Sequence, residues 1–411
     1  KIVGVILDAG YGLDFFDDGM LDARGRIEDG QLIFAEAARY RTIILAGVER
    51  IPLSTMRKLA DFAKHNGLLI ATRRLPSRVP GYKATDDDQR ALQAIVESIF
   101  TGPHALGLFV QDESQLAQAL AEKRSRPDVK FSPASPEIGF LRRHTDGGEI
   151  YFLANTSNLP KSVIADFRQE SVCAQQLDAM TGKISQIPVL GHPEGYIRVA
   201  LDLPPYGSTI LLFSNQVPTS ATPKSVSNSA VDFSTGWTVQ FGSNEKLISL
   251  KSLHSWTDDP STKYFSGIAS YTNHFLIPPE FVGSNAHLIL DFGNPTPSAS
   301  PNKDARSFAA DLDAPVRDAA VVYINDKRAG SVWCAPYQLD ITNALSPGDN
   351  AIRIDVANTA VNDLAGRGFP NYDYSALLQN FGERFVPQRA IEFQPVPSGL
   401  LGPITLITSP K

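Results

Sequence analysis

Aromatic side chains with nearby amides and carboxylates are the residues of this 411-residue sequence best suited to binding chemistry. An aromatic ring can stack on the apolar face of a pyranose while amides and carboxylates take its hydroxyl groups. The candidates are Trp256, Tyr264, Trp333 and Tyr337, with Asn325, Asp340 and Asn358 as polar partners. Trp333 also fits a strand end in a core, and Asp340 also fits a turn or helix cap. We predict a sugar-binding surface formed by Trp256, Tyr264, Trp333, Asn325 and Asn358.

The polar loop between Trp256 and Tyr264 carries two adjacent acids, Asp258 and Asp259. Because Ca²⁺ requires hard oxygen ligands, this loop is a candidate either for a structural calcium ion or for contact with sugar. The seven histidines are dispersed without the spacing of a zinc site. No cofactor other than a structural Ca²⁺ is predicted.

The elements that must position these residues show the pattern of strands. Apolar residues alternate with polar or small ones along Phe265–Tyr271, Leu288–Phe292 and Ile352–Val356, the period of two expected when one strand face is buried. Turn chemistry separates the strands at Asn325–Asp326 and at Pro347–Asn350. We predict a jelly-roll β-sandwich over residues 233–411.

Residues 1–130 alternate strand and helix patterns, which predicts an α/β domain with a parallel sheet. A helix is expected from Pro52 to Gly67, and a second one between Asp86 and Phe100 with Ala91, Ile95 and Ile99 on one face. The predicted strands are Ile2–Leu7, Arg41–Ala46 and Leu68–Ala71.

Two enzymatic functions are common for such an α/β domain, flavin or nucleotide binding and glutamine amidotransfer, and the sequence disfavours both. The loop after the first predicted strand reads Asp8-Ala9-Gly10-Tyr11-Gly12 and is followed by Asp14, Asp17 and Asp18, so a flavin or nucleotide phosphate would be repelled. The Gly10–Gly12 pair is therefore interpreted as a turn. No cysteine precedes Cys173, which excludes a glutamine-amidotransferase nucleophile in this domain.

Residues 131–214 contain short strand patterns with glycine and proline punctuation, which predicts a small antiparallel β-sandwich. Asp146–Gly148 predicts a hairpin between Ile138–Arg143 and Ile150–Ala154, and Met180–Lys183 predicts a second turn. Residues 215–232 are rich in Ser, Thr, Pro and Asn and are predicted to be a linker. A similar run over residues 294–301 is expected to be a surface loop.

Five sequence fragments of the predicted jelly roll occur in the order found in a known domain family. YFSGIASY, YINDKRAGSVW, PYQLDIT and L-x-x-G-x-N leading to DVAN resemble the sugar-binding jelly roll of family 2 glycosidases. With the segment SGLLGPITL, Ser398–Leu406, the chain resembles more closely the C-terminal part of the α-L-rhamnosidases of glycoside hydrolase family 106. That resemblance also implies a flavodoxin-like module followed by a small β-sandwich for residues 1–130 and 131–214.

The resemblance implies part of an enzyme that hydrolyses terminal α-L-rhamnosyl residues, with its acid and base on a (β/α)₈ barrel upstream of this chain. Glycosidases need two carboxylates roughly 5–9.5 Å apart, and the scattered acids here do not present themselves as a pair. These acids are Glu137, Glu149, Glu280 and Glu383. We assign no catalytic residue and expect the barrel on a separate chain or a missing segment. A free-standing carbohydrate-binding protein is the alternative, and an enzymatic α/β domain is disfavoured.

The amino-acid composition and net charge limit the kinds of partner that this chain can bind. With 43% hydrophobic and 20% charged residues the chain falls among ordinary globular proteins, and a net charge of -6 disfavours nucleic acid. No apolar run of about eighteen residues is present, so no membrane partner is predicted.

Cys173 and Cys334 lie in different predicted domains, which favours two buried free thiols. A start at Lys1 directly on a strand-like run suggests a chain cut near a domain boundary. A periplasmic or extracellular location is expected from the resemblance alone, since the sequence shows no signal peptide.

Overall fold

The structure is a computed structural model that describes most of the chain. The described residues are 2–35, 38–123, 125–171, 173–179, 182, 184–215, 229–243, 246–279, 281, 286–298, 311–367, 375–382 and 394–410. The predicted turn at Met180–Lys183, apart from Gly182, and the acids Glu280 and Glu383 lie outside them. The chain divides into two compact units: unit 1 is Lys1–Ala154, Ser162–Leu201 and Thr209–Pro218, and unit 2 is the remainder. No helix that the structure describes is both long and apolar enough to cross a bilayer.

The helices and strands of residues 2–214 follow the predicted change from mixed α/β to all-β structure. The helices are α1 Ile2–Asp8, α2 Asp18–Arg24, α3 Leu53–Lys64, α4 Asp86–Val96 and α5 Leu116–Glu122. The strands are β1 Gly25–Glu28, β2 Gln31–Phe34, β3 Ala38–Tyr40, β4 Thr42–Ala46, β5 Leu68–Thr72, β6 Leu108–Val110, β7 Val129–Ser132, β8 Ile138–Thr145, β9 Gly148–Asn155, β10 Lys161–Phe167, β11 Cys173–Leu177, β12 Ile184–Gln186, β13 Val189–Gly191, β14 Ile197–Leu203 and β15 Ser208–Ser214.

The predicted parallel sheet is confirmed. Its strand order is β4-β5-β6, and β4 pairs in parallel with β5 so that Thr42 lies opposite Leu68. Helix α3 connects these strands and buries Met56, Leu59 and Ala63, which recur at helical spacing. Its chain reverses at Asn66, which has a positive φ of 69°, one residue before the predicted stop at Gly67.

The prediction of a first strand over Ile2–Leu7 is wrong, because this segment forms helix α1. Ile2, Val5 and Ile6 lie three and four residues apart, and all three pack into one apolar cluster with Leu116 and Leu120. β-Branched residues favour strands only weakly, so the helical spacing of this buried face outweighs their propensity. In α4 the buried face also differs by one residue from prediction: Leu92 and Val96 are buried, whereas Ala91 and Ile95 are only partly so.

The predicted hairpins between residues 131 and 214 form two antiparallel sheets. Their orders are β13-β14-β10-β7 and β12-β11-β15-β9-β8. Between them Tyr151, Phe167 and Phe213 are fully buried and make edge contacts, with ring centroids 4.8 Å apart for Tyr151 and Phe167. A division of unit 1 at residue 130 stays a prediction.

Unit 2 is built almost wholly from antiparallel strands. These are β16 Ser229–Asp232, β17 Thr238–Phe241, β18 Ile248–Ser249, β19 Ile268–Ile277, β20 Ala286–Asp291, β21 Thr296–Pro297, β22 Leu312–Asp313, β23 Val316–Arg317, β24 Ala319–Ile324, β25 Lys327–Val332, β26 Gln338–Asp340, β27 Gly348–Ala357, β28 Gly399–Leu400 and β29 Thr405–Pro410. Two short helices, α6 Val361–Arg367 and α7 Ser375–Phe381, follow β27.

The two main sheets of unit 2 enclose one apolar core. Their orders are β16-β29-β20-β26 and β18-β17-β19-β27-β24-β25. Leu290 from the first sheet and Tyr271 and Ile354 from the second belong to the same buried cluster, as expected for a β-sandwich. The predicted turn at Asn325–Asp326 is confirmed, because both residues have positive φ, 52° and 60°, and join β24 to β25.

Two expectations for unit 2 and the thiols need correction. The predicted linker ends too late, since Ser229–Asp232 pairs with β29 as a strand; residues 216–228 lie outside the described part. The strand is held by backbone pairing with β29, in which Val231 lies opposite Leu406, and the polar composition of the segment did not reveal this pairing. Cys173 and Cys334 are free as predicted, but each is only half-buried.

Candidate functional site

Trp256 is not available to stack on a sugar, so that prediction is wrong. Its side chain is 3% exposed and its indole Nε1 donates a hydrogen bond to the Tyr271 hydroxyl at 2.6 Å. Phe241 and Phe265 pack edge-on against the indole. The void beside it is about 20 Å³, which has room for one water and none for a pyranose. Trp256 is therefore a core residue.

Trp333 and Tyr264 are exposed, as a stacking platform requires. Trp333 is 60% exposed and so does not fill the core, the alternative that its position at a strand end had left open. Tyr264 is 45% exposed, and Lys263 Nζ lies 5.4 Å from its ring centroid. These two aromatic side chains remain candidates for sugar contact. Tyr337, in contrast, is buried in the core of unit 2.

The two predicted amide partners make hydrogen bonds within the fold. Asn325 Nδ2 donates to Asn350 Oδ1 at 2.9 Å, and its Oδ1 accepts from the Ala351 amide. Asn358 Oδ1 accepts from the Gly267 amide, and its Nδ2 donates to the Phe265 carbonyl at 2.9 Å. These bonds are structural, and a role of the two amides as sugar ligands stays a prediction. The same side chains explain why asparagine suits each turn.

The predicted calcium ligands Asp258 and Asp259 act as local caps. Asp258 Oδ2 accepts from the Ser255 amide in a capping box, and Asp259 Oδ1 accepts from the Ser261 amide at 2.8 Å. Among the described residues no group of three or more His, Cys, Asp or Glu side chains could hold a metal ion. Both carboxylates thus accept hydrogen bonds from backbone amides, and their prediction as a metal site is not supported.

Asp340 caps a turn, the alternative to sugar binding that its sequence position allowed. Its Oδ1 accepts from the Thr342 amide at 3.0 Å, while its Oδ2 lies 2.6 Å from His287 Nδ1. The carboxyl thus caps the turn that follows β26, which is the alternative that the sequence had offered.

A polar cluster around Ser398 was missed by the sequence analysis, although its segment was noted as a motif. Ser398 and Asn362 are fully buried. The Ser398 hydroxyl oxygen accepts from Asn362 Nδ2 at 3.0 Å and from Asn358 Nδ2 at 3.1 Å, and its amide donates to Ser255 Oγ. This network joins the Trp256 loop to the strand that begins at Gly399. The motif therefore marks a structural junction.

Unit 1 contains a cavity of about 650 Å³ beside strand β4, here called the edge cavity. All five residues of β4 line it, together with residues of α1, of the loop before α2 and of β2 and β3. Most of the lining side chains are apolar; the contributors outside β4 include Ile2, Ile6, Leu13, Phe16, Phe34 and Leu120.

Three carboxylates lie at the edge cavity, and each has a hydrogen-bond donor. The Tyr40 hydroxyl donates to Asp14 at 2.5 Å, the Met20 amide donates to Asp17 at 2.7 Å, and the Thr55 hydroxyl donates to Asp18 at 2.7 Å. Burial and the bond to Asp14 raise the pKa of Tyr40 to about 12, so the phenol stays a donor. Among the described lining residues, Arg50 is the one cationic side chain. A phosphate would meet mostly negative charge here, as the sequence predicted.

The Gly10–Gly12 segment is a turn that lies close to β7. Gly10 has a φ of 83°, and a Cβ there would collide with the Val129 carbonyl. The Gly12 amide donates to Asp128 Oδ2 at 2.9 Å. Gly10 thus allows the close approach of two backbone segments, which agrees with the interpretation of this segment as a turn.

Asp128 is the centre of a group of charges that we call the Asp128 cluster: Asp128, Arg142, His144, Glu149 and Arg168. Asp128 Oδ1 accepts from Arg142 Nη1 at 2.7 Å and also from Arg168. Arg142 Nε donates to Glu149 Oε2 at 3.0 Å, and His144 Nδ1 lies 2.8 Å from Glu149 Oε1. The side chains of Asp128 and Glu149 are each only 12% exposed.

Glu149 makes the stability of unit 1 sensitive to acid. Burial raises the pKa of this carboxyl, but hydrogen bonds from Arg142 and His144 lower it by more, so the pKa lies below its ordinary value of 4.5. A depressed folded-state pKa gives stability that is fully present above pH 4.5 and is lost as the pH falls below it. We expect the thermal midpoint of the wild type to fall more steeply below that pH than the midpoint of Glu149→Gln. Glu28→Gln, on exposed strand β1, is the control; equal slopes for wild type and Glu149→Gln would contradict this role.

Comparison with known proteins finds a matching family model and similar solved structures. Residues 5–189 match the model of glycoside hydrolase family 106, alpha-L-rhamnosidase. A rhamnosidase structure from Novosphingobium sp. PP1Y matches 96% of this chain with a TM-score of 0.72 and 26% identity, and 36% of that protein is covered. The similarity inferred from the motifs is thereby confirmed.

A curated relative is also similar over a shorter stretch. It is a putative beta-glucuronidase from Formosa agariphila, 32% identical over 135 residues, which are 32% of this chain and 10% of that protein. The chain thus spans about a third of the rhamnosidase and a tenth of the glucuronidase. Together the matches show that the chain is similar to parts of glycoside hydrolases.

Proposed function

We propose that this chain, which resembles the α-L-rhamnosidases of glycoside hydrolase family 106, is the C-terminal, non-catalytic portion of a glycosidase that hydrolyses terminal α-L-rhamnosyl residues. The observation that carries the proposal is the coverage of the match. Nearly the whole chain is similar to a rhamnosidase, yet it accounts for only 36% of that protein. A catalytic (β/α)₈ barrel would lie in the remainder of the enzyme. A periplasmic or extracellular location belongs to the same proposal.

The partners of the described carboxylates favour a non-catalytic role for the chain. Glycoside hydrolysis needs two carboxyl groups that face each other across an open cleft. The two most enclosed acids of the Asp128 cluster, Asp128 and Glu149, instead face arginines. Glu113, the other buried acid, accepts from the Thr72 hydroxyl. These hydrogen bonds give the three enclosed carboxylates partners within the fold, which supports a structural role for them.

We assign mechanical roles to the parts within this proposal. Residues 1–130 form a flavodoxin-like module without its own chemistry, and residues 131–214 form a small sandwich that braces it through the Asp128 cluster. Unit 2 is a jelly roll of the kind that family 2 glycosidases carry as a sugar-binding domain. Its exposed Trp333 and Tyr264 are the side chains suited to carbohydrate contact.

The proposal is tested by assaying two proteins with a chromogenic α-L-rhamnoside. We expect the longer enzyme polypeptide to release rhamnose and the 411-residue chain alone to release none. Rhamnose release by the isolated chain, abolished by Glu149→Gln or another change in its own carboxylates, would overturn the assignment.

A free-standing carbohydrate-binding protein is the second candidate, and the exposure of Trp333 favours it. It predicts that the 411-residue chain alone retains a rhamnose-containing polysaccharide on an affinity gel, and that Trp333→Ala abolishes the retention. Trp237→Ala is unsuitable as a comparison because that indole is buried, so Val231→Ala, an exposed apolar position, serves as the control.

A further inference from the structure

Strand β4 has an unpaired edge. In the sheet order β4-β5-β6 it has a neighbour on one side only among the described strands. The Leu68 amide donates to the Arg41 carbonyl, and the Gly47 amide donates to the Thr72 carbonyl, so residues 41 and 47 face β5. Since the direction of the backbone groups alternates along a strand, those of Ile43 and Leu45 also face β5. The N–H and C=O groups of Thr42, Ile44 and Ala46 therefore point away from it.

The unpaired edge opens into the edge cavity, whose other walls are largely apolar. All of Thr42–Ala46 line the cavity. Ile44 packs with Ile6 of α1 on one face of the sheet, while Ile43 and Leu45 pack with Leu59 of α3 on the other. The α3 face of β4 is buried at Ile43 and Leu45, whereas its α1 face is only partly covered, with Thr42 and Ile44 half-buried. Backbone polar groups in such a setting cost free energy unless they find hydrogen-bond partners.

We propose that a strand from the part of the enzyme outside this sequence adds to β4 in parallel and occupies the edge cavity. This inference rests on the proposed function, in which this chain is about a third of a longer enzyme. The free donors and acceptors recur at every second residue, about 6.6 Å apart along the strand, a spacing that a second backbone matches. We assign the parallel direction because it continues the pairing of β4 with β5 and of β5 with β6.

The edge cavity also defines the chemistry of the incoming strand. Its side chains must be apolar on both faces, because one face meets the α1 side of the sheet and the other meets the α3 side. Val, Ile and Leu satisfy this requirement. A strand that alternates apolar and charged residues would place charges against Ile6 or Leu59.

Residue-resolved hydrogen–deuterium exchange tests the proposal. In the 411-residue chain we expect the amides of Thr42, Ile44 and Ala46 to exchange rapidly, while those of Ile43 and Leu45 are protected. In the longer enzyme the first three should exchange at least about tenfold more slowly. Rapid exchange at Thr42, Ile44 and Ala46 in the longer enzyme would overturn the proposal. Concentration-dependent protection in the isolated chain would also overturn it and would assign the edge to a second copy.

A proline variant provides an independent readout. Ala46→Pro removes an amide that faces the cavity and not β5, and Ala46 is exposed in this chain, so little packing is lost. We expect Ala46→Pro to leave the thermal midpoint of the 411-residue chain nearly unchanged but to lower that of the longer enzyme by several degrees. Ala46→Thr keeps the amide and is the matched control. Equal shifts for Ala46→Pro in both proteins would contradict strand addition.

The outcome is separable from the proposed function. Rhamnose release by the longer enzyme without protection of β4 overturns the strand addition alone. Protection of β4 in a longer polypeptide that releases no rhamnose supports the strand addition and overturns the proposed activity alone.

Discussion

Gly399→Ala is expected to destabilise unit 2 by about 4 kcal/mol, since it combines backbone strain with overpacking of a filled site. Gly399 has a φ of 104°, where an L side chain is strained. Its added Cβ would lie 2.8 Å from Trp256 Cδ1 and 2.8 Å from the Tyr271 hydroxyl, and closer still to the indole nitrogen. The methyl group would therefore also break the hydrogen bond between Trp256 and Tyr271.

Gly348→Ala is the matched control for this change. Gly348 lies in the same unit with a φ of 88°, but a Cβ there meets nothing within 4 Å. Its cost should be limited to backbone strain, about 1–2 kcal/mol. Urea unfolding of the two variants, followed by tryptophan fluorescence, gives the difference. Equal losses would show that the close approach of Trp256 does not matter.

Asp128→Asn is expected to destabilise unit 1 by about 3 kcal/mol, the lower end of the cost of breaking a buried ion pair, because Arg142 remains about a quarter exposed. The substitution removes the negative charge that faces Arg142 and Arg168. It also replaces an acceptor by a possible donor opposite the Gly12 amide. The expected loss is mainly that of leaving Arg142 without its charge partner.

Asp87→Asn is the surface control for Asp128→Asn. Asp87 pairs with Arg90 on α4, and its side chain is 86% exposed. Solvent screening limits such a pair to about 0–1 kcal/mol. The measurement is the urea midpoint of unit 1, followed by hydrogen exchange in β8 and β9. If Asp128→Asn and Asp87→Asn lower the urea midpoint by the same small amount, the Asp128 cluster does not stabilise unit 1.

The parts of the fold that were predicted from sequence depend on local chemistry. Asn325–Asp326 joins two strands because both residues tolerate positive φ, and the predicted parallel βαβ unit follows from the apolar spacing of α3. Ile2–Leu7 failed because its β-branched residues suggest a strand, while its contacts with Leu116 and Leu120 come from residues more than a hundred positions away.

The candidate site was harder to predict because tryptophan and asparagine serve cores and turns as readily as ligands. Both Trp256 and Trp333 were predicted to contact sugar, but Trp256 is buried against Phe241 and Phe265 and Trp333 alone is exposed. Asn358 was recognised as polar and near a strand end, but its partner Ser398 is 40 residues away. No local pattern reveals a pairing over that distance.

The position of β29 sets the order in which unit 2 can be completed during synthesis. This strand lies between β16 and β20, and it pairs with both. The ribosome releases Ser229–Asp232 long before Thr405–Pro410 exists, so β16 must wait for its only partner in this described sheet. We infer that the edge of β16 stays without its described partner until residues 405–410 have been synthesised, which makes this sheet a late step in the folding of unit 2.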